Sequence, residues 1–169
     1  MAKILAENLC HSYFAEHGVP VKIARPAQTF GRGIRPDDNR VFAQFADAVR
    51  TGSDIILHTA GDSMGNYCDI DEMTEAILFL LQNGVDSEAY NVVNEKNTMR
   101  IREMAQLVAE RIADGRIKVS CDIPEGNPFG YAADTGLRLS GGKLRALGWE
   151  AKCSLEDMYR KMLGMSEYH

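Results

Sequence analysis

The sequence lacks the features that mark membrane and secreted proteins. No apolar run approaches the roughly 20 residues that a membrane-spanning helix needs, and the first residues do not have the charged-then-apolar order of a signal peptide. Cys10, Cys68, Cys121 and Cys153 lie far apart and form no C-x-x-C pair. No histidine stands at metal-ligand spacing from them. These absences predict a cytoplasmic protein with reduced thiols and without a zinc site.

Basic residues are also too scattered to form a patch. The chain of 169 residues has a net charge of -5 at pH 7, and its lysines and arginines form no run that could follow a phosphate backbone. We therefore expect no nucleic-acid partner. Hydrophobic residues make up 45% of the sequence and charged residues 25%, which is typical of a folded domain with one core. Two small lobes are the alternative.

A third absence concerns dinucleotides. The sequence contains no G-x-G-x-x-G, the glycine loop that lets a backbone approach the pyrophosphate of NAD at the amino end of a helix. We therefore expect that this chain alone binds neither NAD nor NADP tightly.

Apolar residues recur along the chain at two different periods. Helical spacing marks residues 4–17, a segment around Phe42 that ends at Gly52, residues 73–81 and residues 101–112. Strand-like runs alternate with these helices, at residues 19–24, 55–57, 89–93 and 117–121. Because parallel strands need a crossover that a helix supplies, this order predicts an α/β fold with parallel pairing.

Polar residues predict where the helices begin and where loops lie. Four helices are predicted to begin at side chains that accept bonds from backbone N–H groups: Asp38 or Asn39, Asp71, Thr98 and Ser154. Ser154 with Asp157 resembles a capping box for a last helix through Met162, after a short helix at residues 143–147. Loops are predicted where glycine, proline and polar residues gather: residues 29–39, 59–66 and 122–139.

The predicted series begins on a helix rather than on a strand. The apolar side chains of this helix, among them Leu5, Leu9 and Tyr13, need a sheet or another helix to cover them, and only the strand at residues 19–24 follows directly. We therefore expect that the beginning of the fold is missing from this sequence.

Five segments, in order, resemble one enzyme family. Residues 1–7 resemble the second half of the Y-x-x-x-K helix, with Lys3 on the lysine, and residues 21–33 resemble a strand followed by R-P-x-N-x-Y-G-P. Residues 69–73 resemble Y-V-D-D-V, residues 88–92 resemble G-x-x-Y-N-[VI], and residues 147–149 are the L-G-W found near the carboxyl end of such enzymes. The chain thus resembles the extended short-chain dehydrogenases/reductases, the NAD(P)-dependent nucleotide-sugar epimerases and dehydratases.

The resemblance implies a single truncated unit over residues 1–169. Residues 1–36 would be the end of the Rossmann-type part, and residues 37–169 mainly the small α/β substrate-binding lobe with a returning helix and strand. The catalytic tyrosine would fall two places before Met1, so we expect the chain to be inactive alone. The parent enzyme would resemble a dTDP-glucose 4,6-dehydratase or a UDP-sugar epimerase, with NAD or NADP. The alternative is a non-catalytic module that binds nucleotide sugars or associates with itself.

The resemblance also implies roles for six residues. Lys3 and Pro26 would lie on the cofactor side, where the charge of Lys3 would hold the nicotinamide ribose and assist the missing tyrosine. Gln28 would contact the substrate, while Asn39 and Arg40 would bring donors to the diphosphate at a helix start, and His58 would lie beside the base. Each has a plainer interpretation: a solvated lysine, a loop residue bonded to nearby backbone, a surface ion pair, or a half-exposed histidine.

Two of the departures from the family pattern bear on anion binding. The family commonly has a diphosphate-binding arginine four residues before the tyrosine of Y-V-D-D, and these places hold Gly65 and Asp69. Losing a bidentate phosphate donor and adding a carboxylate predicts weakened or redirected anion binding. Because family enzymes dimerise through a bundle that includes the first helix, we also expect a homodimer or larger assembly.

Overall fold

The computed structural model describes residues 2–35, 37–126, 130 and 133–165. The helices are α1 (Ala2–His17), α2 (Val41–Thr51), α3 (Ile70–Asn83), α4 (Ile101–Leu107, continued by a π-helical segment Val108–Ile112), α5 (Gly142–Ala146) and α6 (Leu155–Leu163). The strands are β1 (Lys22–Pro26), β2 (Gln28–Phe30), β3 (Ile55–Leu57), β4 (Met64–Asp69), β5 (Glu88–Val92), β6 (Thr98–Arg100) and β7 (Val119–Cys121).

Within the described residues, distant segments of the chain pair mostly in parallel. β1 pairs with β5, β2 with β4, and β3 with β7, all in parallel, whereas β6 pairs antiparallel with the other edge of β4. Each parallel pair is joined through at least one helix, as such connections require. The predicted α/β class with parallel pairing is confirmed.

Two hydrophobic clusters hold these elements together. The first lies between β2, α2, α4 with its π-helical segment, and α6, and there the Phe30 ring stacks on Phe42 with centroids 4.4 Å apart. The second lies between β1, β5, α3 and α5 and includes Met73, Leu80 and Tyr90. Both clusters follow from the helical spacing of apolar residues, which places one face of each helix on its neighbours.

Three of the four predicted helix caps are wrong by one or two residues. Helix α2 follows Arg40 instead of Asp38 or Asn39, and its cap has no side-chain bond. Helix α3 is capped by Asp69, two residues before Asp71, and its carboxylate accepts from the N–H groups of Asp71 and Glu72. Thr98 belongs to β6, so α4 follows Arg100. The fourth cap is confirmed, because the Ser154 hydroxyl oxygen accepts the Asp157 N–H at 3.1 Å.

Two segments predicted as loops contain strands. β2 overlaps the start of the predicted loop at residues 29–39, and β4 begins inside the one at residues 59–66. These two strands stabilise each other, because residues 28–30 pair with residues 67–69. In the third predicted loop, residues 127–129 and 131–132 lie outside the described residues, and the described part forms no helix.

The helix ends at glycine are as expected. Gly18 and Gly52 adopt φ values of 65° and 70°, the left-handed conformation in which glycine carries no steric penalty, and they end α1 and α2. None of the described helices is both long enough and apolar enough to cross a bilayer.

Candidate functional site

A cleft of about 350 Å³ opens beside the carboxyl end of β3. Its walls come from the start of α2, from the residues after β3 and from the segment at residues 133–135. The lining residues are Asn39, Val41, Gln44, Phe45, Ile56, Leu57, His58, Thr59, Ser63, Ile101, Ala133, Asp134 and Thr135. Apolar side chains and polar groups share this lining, which is the usual composition of a small-molecule site.

His58 enters the cleft because β3 ends at Leu57. Open α/β sheets place ligands outside the carboxyl ends of parallel strands, and β3 is parallel to β7. The His58 Nδ1 lies 3.0 Å from the Asp122 carbonyl oxygen. Because a carbonyl oxygen only accepts, this ring nitrogen is the donor in that contact. The histidine is therefore held to the segment that follows β7.

The α2 side of the cleft is fixed by a side chain bonded to backbone. Gln44 Nε2 donates to the Asn39 carbonyl oxygen at 2.7 Å, across the first turn of the helix. The amino end of a helix carries partial positive charge and unsatisfied N–H groups, so it suits an anion. Asn39, Gln44 and the start of α2 thus lie at one edge of the cleft.

Another part of the lining comes from a segment far away in sequence. Ser63 Oγ donates to Asp134 Oδ1 at 2.8 Å, and the Thr135 N–H donates to Ser63 Oγ at 3.3 Å. The Met64 N–H donates to the Thr135 carbonyl oxygen at 2.7 Å. These bonds tie residues 134 and 135 to the start of β4 and hold a carboxylate at the cleft.

Arg40 lies next to this site and is engaged in an ion pair. Its Nε lies 3.0 Å from Asp38 Oδ1 and its Nη2 lies 2.5 Å from Oδ2, while its guanidinium lies 4.6 Å from the Phe42 ring centroid. Hydrogen bonds from this guanidinium lower the pKa of the Asp38 carboxyl to about 2. A phosphate that bound Arg40 would therefore compete with Asp38.

The remaining predicted site residues lie elsewhere. Lys3 is exposed on the first turn of α1, Pro26 is the exposed last residue of β1, and Gln28 is the exposed first residue of β2. None of the three lines the cleft. The structure thus brings Asn39 and His58 together, with Arg40 beside them, and the roles of all six residues stay predictions.

Several lining residues were not expected from the sequence. Gln44, Ser63, Asp134 and Thr135 line the cleft although none of them belongs to a recognised motif. The Ser63–Asp134 contact spans 71 residues of sequence, so no local pattern could have indicated it. Among the described residues, no group of three or more His, Cys, Asp or Glu side chains could hold a metal ion.

The two departures from the family pattern have structural roles. Gly65 is buried, and a Cβ there would stand 2.8 Å from the Tyr67 hydroxyl oxygen. Asp69 is fully buried, caps α3 and lies 3.2 Å from Lys161 Nζ. Because this carboxylate is used inside the fold and does not line the cleft, its charge does not face a ligand bound there.

Residues 1–93 match the model of the NAD dependent epimerase/dehydratase family. The chain belongs to this family. GDP-L-fucose synthase 1 of Arabidopsis thaliana is 26% identical over 165 residues, which are 93% of this chain and 49% of that protein. The resemblance to nucleotide-sugar epimerases and dehydratases is thereby confirmed.

Solved structures share the fold of this chain. The UDP-glucose 4-epimerase of Thermotoga maritima, determined with UDP-glucose, gives a TM-score of 0.81 at 22% identity and covers 96% of this chain. RMD of Pseudomonas aeruginosa, determined with NADPH, gives 0.77 at 26% identity, also over 96% of this chain. The chain covers 51% and 53% of these two structures, so it spans about half the length of the proteins it matches.

Proposed function

We propose that this chain supplies the substrate-binding part of an NAD(P)-dependent epimerase or dehydratase that acts on a nucleoside-diphosphate sugar. The observation that carries the proposal is the cleft beside β3, which Asn39 and His58 both line. Its position at the carboxyl end of a parallel strand, its volume and its mixed lining support a nucleotide as occupant. Family membership supports the reaction class.

The distribution of charge suggests how the nucleotide lies. Phe45 and Leu57 offer apolar surface to a base or ribose, whereas the diphosphate would lie toward the amino end of α2. Arg40, beside that helix start, would exchange Asp38 for a phosphate oxygen, because a guanidinium binds either anion through two parallel hydrogen bonds. Gln28, two residues after the end of β1, would contact the sugar.

The chain by itself offers a poor site for the cofactor. NAD or NADP supplies hydride transfer in this reaction class, and Lys3 and Pro26 are the residues that we assign to its side. Both are exposed, and the sequence has no glycine-rich strand-to-helix turn to receive a pyrophosphate. We therefore propose that the isolated chain neither binds the dinucleotide tightly nor turns over a sugar nucleotide, and that it works in the cytoplasm with residues from outside this sequence.

The pairing of β1 with β5 supports the proposed division at residue 36. β5 and the helix before it, α3, return from the substrate-binding part and pack on β1, a strand of the Rossmann-type part. Residues 1–36 and 37–169 would then share one sheet although they contribute to different parts of the enzyme.

Calorimetry on the purified chain tests this proposal. We expect weak binding of UDP-glucose or GDP-mannose and no binding of NAD at micromolar concentration. Arg40→Ala should weaken the binding of the sugar nucleotide at least about tenfold, because it removes a charge-assisted phosphate contact. Arg35→Ala is the matched control, because Arg35 pairs with Asp37 in the same way but lies in the preceding loop, whereas Arg40 directly precedes α2.

Three results would contradict the proposal. They are micromolar binding of NAD, turnover of a sugar nucleotide by the chain alone, and equal affinity of Arg40→Ala and the unaltered protein.

Self-association is the second candidate property, and the surface of α1 favours it. No residue of this helix is buried, and Leu5 and Leu9 are 65% and 58% exposed, although Glu7 bonds to Arg25 and His11 to Ser87. Apolar surface of this kind favours association. We propose a dimer or larger assembly through α1, which light scattering would detect. Leu5→Glu with Leu9→Glu should yield monomers, and a clean monomer of the unaltered chain would contradict this.

A further inference from the structure

We infer, on the basis of the proposed function, that the cleft selects a nucleobase with an exocyclic amino group through the carboxylate of Asp134. Guanine, cytosine and adenine carry such a group, whereas uracil and thymine do not. Asp134 would thus decide the class of nucleotide sugar that the protein accepts.

The carboxylate of Asp134 is held in place by its neighbours. One oxygen, Oδ1, accepts the Ser63 hydroxyl at 2.8 Å, and Ser63 Oγ in turn accepts the Thr135 N–H at 3.3 Å. The Thr135 carbonyl oxygen accepts the Met64 N–H at 2.7 Å. The segment is therefore bonded both to the Ser63 side chain and to the backbone of the next residue. A side chain whose neighbours fix it loses little freedom when a ligand binds.

The second carboxylate oxygen remains available to a ligand. An ionised carboxylate has acceptor sites on both oxygens and no donor. No donor among the described residues reaches Asp134 Oδ2, and Asp134 itself is exposed at the edge of the cleft. This edge therefore presents an acceptor that a ligand donor would satisfy.

The charges around the cleft orient the nucleotide. No lysine or arginine stands in the described lining, and Asp134 is the only formal negative charge there. A diphosphate near Asp134 would be repelled, whereas the start of α2 attracts it and Arg40 can exchange Asp38 for a phosphate oxygen. The base therefore lies beside Asp134 and the phosphates beside the start of α2.

The chemistry of the bases then decides among nucleotides. Guanine offers a ring N–H and an amino group side by side, and cytosine and adenine each offer an amino group. Uracil and thymine offer a single ring N–H between two carbonyl oxygens, and those oxygens repel a carboxylate. A site that rejects a ligand through such repulsion discriminates more strongly than one that only attracts.

Calorimetry with GDP, CDP, ADP, UDP and dTDP on the intact chain tests this inference. We expect at least one amino-bearing nucleotide to bind about tenfold or more tighter than UDP and dTDP, as for a hydrogen bond to a charged group. The strongest of the three identifies the base. Asp134→Asn should remove most of the preference, because an amide also donates to carbonyl oxygens, and Asp134→Glu should retain part of it.

Asp114→Asn is the matched control, since Asp114 pairs with Arg116 at the surface and does not line the cleft. Thermal melting of each variant confirms that it folds. A preference for UDP or dTDP would overturn the inference and leave the proposed function intact. If Asp134→Asn loses affinity equally for all five nucleotides, the carboxylate binds ribose hydroxyls. That result would also overturn the inference. If none of the five binds the unaltered chain, the proposed function fails and the inference with it.

Discussion

The two hydrophobic clusters differ in how completely their helices are covered. In the first cluster, each large apolar residue of α2 and α6 is at least partly buried. In the second, α3 buries Met73 and Leu80 but leaves Leu78 and Leu81 57% and 62% exposed. Together with α1, this makes the surface around β1 and β5 apolar and open. The cluster beside the cleft is therefore well covered by its own helices, whereas the cluster around β1 and β5 leaves apolar surface exposed.

The largest expected effect of a substitution contrasts these two regions. Phe42→Ala should lower the free energy of unfolding by about 3–5 kcal/mol, because it empties a buried position that stacks on Phe30. Leu78→Ala should change it by less than about 0.5 kcal/mol in the monomer, because that side chain is largely exposed. Urea unfolding of both variants measures the difference. Similar losses would contradict the distinction between a closed and an open region.

An intermediate effect is expected where the two regions meet. Lys161 on α6 lies 3.2 Å from the buried Asp69 carboxylate that caps α3. Lys161→Met should lower the free energy of unfolding by about 2 kcal/mol, because it leaves the buried carboxylate without its cation. Urea unfolding again gives the value.

Neutralising the carboxylate is the control for that substitution. Asn at position 69 can still accept backbone N–H groups, so adding Asp69→Asn to Lys161→Met should recover part of the loss. If the loss of unfolding free energy in the double variant equals the sum of the losses in the two single variants, Asp69 and Lys161 are not coupled.

The smallest expected effect lies at the edge of the cleft. The pKa of Asp38 is lowered from 3.8 to about 2, first through hydrogen bonds from the Arg40 guanidinium. Since the folded value is the lower one, the contribution of the pair is present above about pH 4 and is lost as the pH falls toward 2. In Arg40→Ala, NMR titration should return the Asp38 pKa toward 3.8. An unchanged pKa would show that Arg40 does not hold the pair in solution.

Much of the fold could be predicted because helices are marked locally. The spacing of apolar residues gives the positions of α1 to α4, and glycines such as Gly18 and Gly52 mark helix ends. The strands β2 and β4 could not be predicted, because short strands exist only through their partners. The caps failed for a related reason: pairing of β6 extends to Arg100 and moves the start of α4 past Thr98.

The site was predictable only in part. Asn39 precedes a recognisable helix and His58 follows a recognisable strand, so the resemblance could indicate their positions. Asp134 reaches the cleft through a contact across 71 residues, from a segment without regular structure. Such a wall depends on tertiary pairing, and nothing in its own sequence distinguishes it from a surface loop.

The most direct test of the central claim is to map a bound nucleoside diphosphate onto the chain by amide NMR shifts. We predict shifts concentrated at residues 39–44, 57–59 and 133–135, with little change along α1. Shifts centred on the exposed face of α1 or α3, or no shifts at millimolar nucleotide, would contradict the proposal that this cleft is the substrate site.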